Sequence, residues 1–333
     1  MSEPPAPLIL DVDTGIDDAL AILYACASPE VELLAITCVS GNVEARQVAR
    51  NTLGVLELAG RADVEVALGR EVPLVRELRT APETHGPHGV GYATLPEPRR
   101  SLSERHAADL IISEARRRQG EVTLVTLGPL TNLAVALLRE PDLPRLLKGL
   151  VMMAGSYRSA GNTAPTTEWN VAVDPEAMQA VLAGWAALPE AGRPLALGLD
   201  VTERAKLTPD HLADMRSRAQ VPADDGLLAF VGEALRFYME FHSRYDGFYG
   251  AFIHDALAVA AALDRSLVRS EALHVEVELG GRWTAGETVT DWRRSWGLEP
   301  NLDVAVEADI ATFFERFVER VGRLAAARSN VAI

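Results

Sequence analysis

Short apolar runs alternate with stretches of helical period along this chain, and that rhythm lays out its elements before any chemistry is considered. Leu8 to Val12 reads as a buried strand and Asp17 to Ala27 as a helix. Val31 to Val39 and Val43 to Ala59 repeat the pair, and Val64 to Leu68 adds a third strand. A βαβαβ run of this kind predicts a parallel sheet flanked by helices, with ligands beyond the carboxyl ends of its strands.

Pro73 to Pro98 breaks the rhythm: its THGPHGVGY, crowded with glycine and proline, predicts a mobile loop. Alternation returns with a helix over Glu104 to Arg118, a strand Val122 to Thr126, a GPLTN turn, a helix through Leu138 and a strand Leu150 to Ala154. From Ser156 to Asp174 the residues are polar without a period until a helix begins near Pro175, as in a site-lining loop. Leu195 to Leu199 is a further buried strand. Beyond Asp200 helices dominate (Pro209 to Arg218, Leu227 to Arg244, His254 to Leu263, Asp309 to Ala326), and Leu273 to Leu279 alternates as an edge or antiparallel strand. The expected fold class is therefore α/β: a mainly parallel, Rossmann-like sheet flanked by helices, with a more helical C-terminal half and a short antiparallel segment. No repeat or linker divides the chain, so residues 8–326 are expected to form one domain, between a disordered N-terminus (1–7) and a tail (327–333).

Composition narrows the choice. The 333 residues are 48% hydrophobic, enough for a large single core. A net charge of −15 repels a phosphate backbone, and the richest basic stretch, Arg116 to Arg118, sits beside Glu114 and Glu121 as a solvated helix face, so nucleic acid is excluded as a partner. Cys26 and Cys38 stand in apolar surroundings, which argues against a disulfide framework and for a reducing compartment. The MSEPPAP start lacks a signal-peptide pattern and no apolar run reaches membrane-spanning length, so a soluble, cytoplasmic protein is expected, with no membrane partner.

The chemistry concentrates where the first strand ends. DVDTGIDD places Asp11, Asp13, Asp17 and Asp18 within eight residues. Carboxylates this close repel unless one stays protonated or a cation neutralises them, and oxygen-only ligands favour Ca²⁺ or Mg²⁺. Asp17 and Asp18 would open a helix, where its dipole favours negative charge. Asp11, inside a buried strand, is expected to hydrogen-bond loop backbone. A DxD after strand one also occurs in haloacid-dehalogenase phosphatases, but these usually carry Thr or Val four residues after the first Asp, and here that position is Gly15.

DVDTGIDDALA instead resembles the opening motif of the nucleoside hydrolase family, the inosine-uridine preferring N-ribohydrolases. Further family-like blocks follow in order: Ser40-Gly41-Asn42, GPLTN from Gly128, GNTAPTTEWNVAVDPEA from Gly161, and Ile253-His254-Asp255-Ala256. The resemblance spans roughly Leu8 to Val321. It implies Ca²⁺ bound by Asp13, Asp18, Asp255 and the main-chain carbonyl of Leu127, with water and two ribose hydroxyls completing the shell. It also implies Asp13 as general base toward water, Asp17, Asn42, Asn162, Glu168 and Asn170 as ribose contacts, and His254 as proton donor to the departing base. The reaction implied is hydrolysis of ribonucleosides to free base and ribose, by an enzyme that is commonly a homo-oligomer, dimer or tetramer, in this family.

In the glycine-rich loop, His85 is expected to touch ribose or close over the site, whereas Pro87-His88-Gly89 departs from the family pattern. Tyr245, Phe248 and Tyr249 precede His254 closely and are read either as a stacking surface for the nucleobase or as ordinary packing. Two rivals to the hydrolase reading remain: a metal-dependent phosphatase, and a non-catalytic nucleoside or pentose binder.

Overall fold

A computed structural model describes residues 4–188, 191–222 and 225–329. Strands β1 (Ala6–Val12), β2 (Val31–Cys38), β3 (Glu65–Leu68), β4 (Thr123–Thr126), β5 (Gly149–Met153) and β6 (Leu195–Leu197) follow one another through helical connections. Short β7 (Lys206–Leu207) and β8 (Ala251–Phe252) come next, then β9 (Val268–Leu273), β10 (Val275–Val277), β11 (Thr288–Thr290) and β12 (Leu302–Ala308). Eight of them form one sheet in the order β3-β2-β1-β4-β5-β6-β12-β9. Every neighbouring pair in it is parallel except β12 and β9.

Both faces of this sheet are covered, which is why its strands read as apolar runs. Leu8, Leu10 and Val12 of β1 pack toward one layer, formed by helices Ile16–Cys26, Ala45–Ala59, Gly226–Tyr245, His254–Leu263 and Ile310–Ser329. Ile9 packs toward the other, with helices Ala107–Arg117, Thr131–Arg139 and Pro175–Ala186. β1 pairs with β2 on one side and β4 on the other, so the chain runs outward to β3 and then returns across β1. That reversal leaves a crevice beyond the carboxyl ends of β1 and β4, where open α/β sheets bind ligands.

Several boundaries move from their expected places. β1 begins at Ala6, whose N–H donates to Glu30 O at 2.8 Å, so two residues expected to be disordered belong to the sheet. Residues 1–3 and 330–333 lie outside the described residues, and the last helix continues to Ser329, past the expected tail boundary. The expected helix at Glu104 starts at Ala107, because His106 caps it by accepting from Ala108 N. Within the loop expected to lack regular structure, Pro82–His85 forms one helical turn, its first residue pre-set by proline. Leu273 to Leu279 divides in two: Leu273 ends β9, and β10 turns away to pair antiparallel with β11. β12 is not anticipated by the pattern, since among its residues only Leu302, Val304 and Ala305 are buried and apolar.

Cys26 and Cys38 are both free thiols. Among the described residues no helix is long and apolar enough to cross a membrane.

Candidate active site

Four carboxylates form the floor of the crevice. Asp13 leaves the tip of β1, Asp17 and Asp18 lie in the first turn of helix Ile16–Cys26, and Asp255 lies in the first turn of helix His254–Leu263; all four are buried. Asp17, Asp18 and Asp255 each bring one oxygen within 4.8 Å of the others. Asp13 lies against Asp18, and Asp17 against Asp255. Asp17, Asp18 and Asp13 all lie close enough to Asp255 for their charges to repel its own.

Hydrogen bonds aim these groups without neutralising them. Asp18 accepts from the N–H of Asp13 (3.1 Å) and Gly15 (2.9 Å) and from Asn42 Nδ2 (3.2 Å). Asp13 Oδ2 accepts from Asn42 N at 2.8 Å, while its Oδ1 is buried with no partner. Glycines hold the backbone close around it: a Cβ at Gly41 would lie 2.1 Å from Asp13 Oδ2, and one at Gly128 2.8 Å from Oδ1. Burial pushes every one of these carboxyl groups above the ordinary range, Asp17 to about 8 and Asp13 and Asp255 well up, with mutual repulsion adding to the effect. A floor of this kind asks for positive charge.

Above the floor lies a cavity of about 590 Å³, the size of a small-molecule site. Asp17, Asn42, His85, Leu127, Asn162, Glu168, Asn170, Tyr245, His254 and Asp255 all line it. Asp13 and Asp18 lie outside that lining. Leu127, just past β4, turns its carbonyl toward Asn170 Nδ2 (2.7 Å), which also reaches Met153 O at 3.0 Å. Glu168 caps helix Trp169–Val173, accepting from the N–H groups of Gly155, Asn170 and Val171, yet stays in the lining. A carboxylate offers about four acceptor positions, so capacity remains. Asn162 is exposed and accepts from Trp169 N at 2.9 Å. Among the described residues, no lysine or arginine lines the cavity.

Three histidines stand at its upper end. His85 Nδ1 accepts from Ile16 N (3.1 Å), which leaves Nε2–H as its free donor, and burial lowers its pKa to about 3. His254 Nδ1 lies 2.8 Å from Thr202 Oγ1, and burial takes it to about 3 as well. The third, His242, is paired with Asp246 at 2.7 Å; both line the cavity, and neither is singled out by the sequence motifs. An i,i+4 His–Asp pair at a helix end, HSRYD, is the signal that marks them. Tyr238, Phe241 and Phe252 supply further apolar wall.

Two expectations are corrected. Asp11 does not hold loop backbone: its Oδ1 accepts from Thr37 Oγ1 (2.6 Å) and Asn132 Nδ2 (2.8 Å), because strand alternation turns it toward β2 and the GPLTN turn. Burial raises it to about 7. Tyr249, half exposed, falls outside the cavity, whereas Tyr245 lines it and packs against Phe241 with ring centroids 4.7 Å apart.

Comparison with known proteins agrees with this geometry. The family model described as inosine-uridine preferring nucleoside hydrolase matches residues 8–315. The chain is 36% identical over 322 residues to the inosine-uridine preferring nucleoside hydrolase of Crithidia fasciculata, covering 96% of this chain and 98% of the relative. It is 37% identical over 319 residues to the pyrimidine-specific ribonucleoside hydrolase RihA of an Enterobacter species, covering 95% and 98%. Among solved structures, a purine-preferring ribonucleoside hydrolase from Gardnerella vaginalis superposes with a TM-score of 0.88 at 31% identity, over 96% of this chain and 99% of that one. With a matching model across nearly the whole chain and a site at the sheet's switch point, this protein is an enzyme of the inosine-uridine preferring nucleoside hydrolase family.

Proposed function

We propose that the enzyme hydrolyses the N-glycosidic bond of ribonucleosides to free base and ribose, with Ca²⁺ held by Asp13, Asp18, Asp255 and the Leu127 carbonyl. The observation that carries this reading is the buried, partnerless Oδ1 of Asp13 in a group of carboxylates beneath a cavity without a lysine or arginine. The donor set fits the ion, being entirely oxygen and drawn from a strand tip, two helix first turns and a loop carbonyl. When bound, the cation supplies charge neutralisation, a seat for the ribose cis-diol and a lower pKa for water.

The chain's own residues do the rest. Asp13 takes the proton of the attacking water; one of its oxygens is fixed by Asn42 N and the other is open. The water oxygen bonds to the anomeric carbon, the bond to the base nitrogen breaks, and positive charge develops on the sugar. Asp17, Asn42, Asn162, Glu168 and Asn170 grip ribose and place negative or amide oxygen near that charge, and neutral His85 donates through Nε2–H. Tyr245 and the histidines face the base end. The absence of a cationic lining among the described residues favours a neutral substrate over a phosphate ester.

A panel of purine and pyrimidine nucleosides assayed for reducing sugar, with an aryl phosphate assayed in parallel for phosphate, tests the reading. Ribose release without phosphate release is expected. Phosphate release, or nucleoside binding with no ribose formed, would overturn it. A finer test uses Gly41→Ala, whose new Cβ has no room beside Asp13 Oδ2. Displacing that carboxylate by a fraction of its own width should lower kcat roughly 10²-fold, with KM for the nucleoside changed far less. An unchanged kcat would show that Asp13 need not hold this position.

A further inference from the structure

We propose that the base end of this cavity selects nucleobases that carry an exocyclic amino group, guanine over hypoxanthine among purines and cytosine over uracil among pyrimidines, with Glu203 as the residue that sets the preference. The inference rests on the nucleoside hydrolase reading and names the substrate class within that site.

Glu203 directly follows Thr202, the partner of His254, and lines the cavity. The charges that act on it are those of Asp246, Asp200 and Lys206, none of them part of the ionic floor. Buried Tyr238 feels the floor acids Asp17, Asp18 and Asp255 and also Asp246, so it spans the distance between the two ends. With ribose seated on the floor, the base projects toward Glu203. Phe241, Tyr245 and Phe252 wall that end. A flat base packed among such rings is left with its polar edge to be recognised.

The groups waiting for that edge are acceptors. Among the described residues the half-buried Glu203 side chain makes no hydrogen bond or ion pair. Lys206 attracts it without pairing, since its ammonium lies over the rings of Phe248 and Phe252, 4.8 and 5.7 Å from their centroids. Asp200, by contrast, is already taken by the N–H groups of Tyr157, Arg158 and Ser159. His242 Nδ1 lies 2.7 Å from Asp246 Oδ2. A carboxylate oxygen only accepts, so Nδ1 carries the hydrogen and Nε2 of the neutral ring is an acceptor. That nitrogen is buried without a partner among the described residues, in a side chain that lines the cavity. Every formally charged residue in the lining is acidic. Burial raises the pKa of Glu203, and the charges of Asp246 and Asp200 add to the effect, so a hydrogen-bond donor placed there relieves an existing cost.

The chemistry of the bases then decides between close analogues. A free carboxylate gains a charge-assisted hydrogen bond from an amino N–H, whereas a carbonyl oxygen in the same place repels it. Guanine sets its ring N–H and its amino N–H side by side, a match for both oxygens of one carboxylate, and hypoxanthine lacks the amino donor. Cytosine has an amino group where uracil has a carbonyl, so one carboxylate separates that pair too.

The test measures kcat/KM by ribose release for guanosine against inosine and cytidine against uridine, at about pH 8, well above the usual carboxylate range. Wild type, Glu203→Gln and Glu203→Asp are compared through the ratio within each pair, which does not depend on how much of a variant is active. In each ring class that is turned over, the amino member should be favoured roughly tenfold or more. Glu203→Gln, which puts an amide N–H where an acceptor stood, should bring the ratio to within about threefold of unity. Glu203→Asp, keeping the charge, should keep the direction of the preference. Ribose released equally well from both members of a pair by the wild type, or a preference that persists undiminished in Glu203→Gln, would overturn the inference and leave the hydrolase reading standing. Release from none of the four nucleosides would bring down both.

Discussion

Replacing Asp13 with alanine should reduce kcat on a nucleoside about 10⁴-fold, the upper range for loss of a general base, while the protein remains folded. The size follows from two jobs meeting in one side chain. Oδ2 is anchored by Asn42 N, and Oδ1 is the one oxygen of the floor carboxylates left buried without a partner among the described residues. Its neighbours are placed differently: Asp18 already accepts from Asp13 N, Gly15 N and Asn42 Nδ2, and Asp255 reaches in from another helix. The fold should survive because removing Asp13 also removes a source of repulsion toward Asp18 and Asp17. Circular dichroism and an unfolding midpoint at or above wild type, with turnover nearly lost, is the expected pair of results. Near-wild-type turnover would remove Asp13 from the reaction.

The cation-free enzyme should become less stable as pH rises, and Ca²⁺ should cancel that trend. Asp11 and Asp17 move from 3.8 up to about 7 and about 8, chiefly through burial, and Asp13 and Asp255 are also raised. A group that holds its proton more tightly folded than unfolded contributes stability below its unfolded pKa and loses it as pH climbs through the folded value. His85 and His254 act in the opposite sense, since their pKa falls from 6.5 to about 3, so between those values the folded state gains as pH rises. Above pH 6.5 the contribution of these two histidines is complete, and the raised carboxylates set the trend. From about pH 6.5 to 8.5 the melting temperature without cation should therefore drop by roughly 5 °C or more. Ca²⁺ at a hundredfold excess over its Kd adds about 2.7 kcal/mol by mass action, and the increment should grow with pH as deprotonated ligands become available. Melting curves across that range, with and without Ca²⁺, check this. A flat profile without cation, or a Ca²⁺ increment that shrinks with pH, would show that the floor carboxylates are not a cation site.

Much of the site was legible because its residues sit in short local blocks at strand ends. DVDTGIDD, Ser40-Gly41-Asn42 and GPLTN each follow or adjoin a strand of the parallel sheet, which brings those ends together, while Ile253-His254-Asp255 follows short β8, paired antiparallel with β7. The sheet itself was legible where both faces are covered and strands are therefore wholly apolar, and illegible at β12, whose Asp303 and Glu307 interrupt the run. His242 escaped for a different reason. Whether a histidine on a 20-residue helix faces a cavity depends on how that helix is rotated, and its i,i+4 partner Asp246 looks like a surface pair. The partner of His254 is hidden too, since Thr202 lies 52 residues away in sequence. Asp11 was placed correctly as a structural acid, but its partners Thr37 and Asn132 belong to neighbouring segments that only the strand register reveals.

Ribose release from a nucleoside by exhaustively demetallated enzyme, measured before and after Ca²⁺ is returned, puts the ionic floor to its most direct test. Turnover lower by at least about 10³-fold without the ion and full recovery on adding it is the result expected. Undiminished ribose release from protein shown to contain no metal would contradict the account.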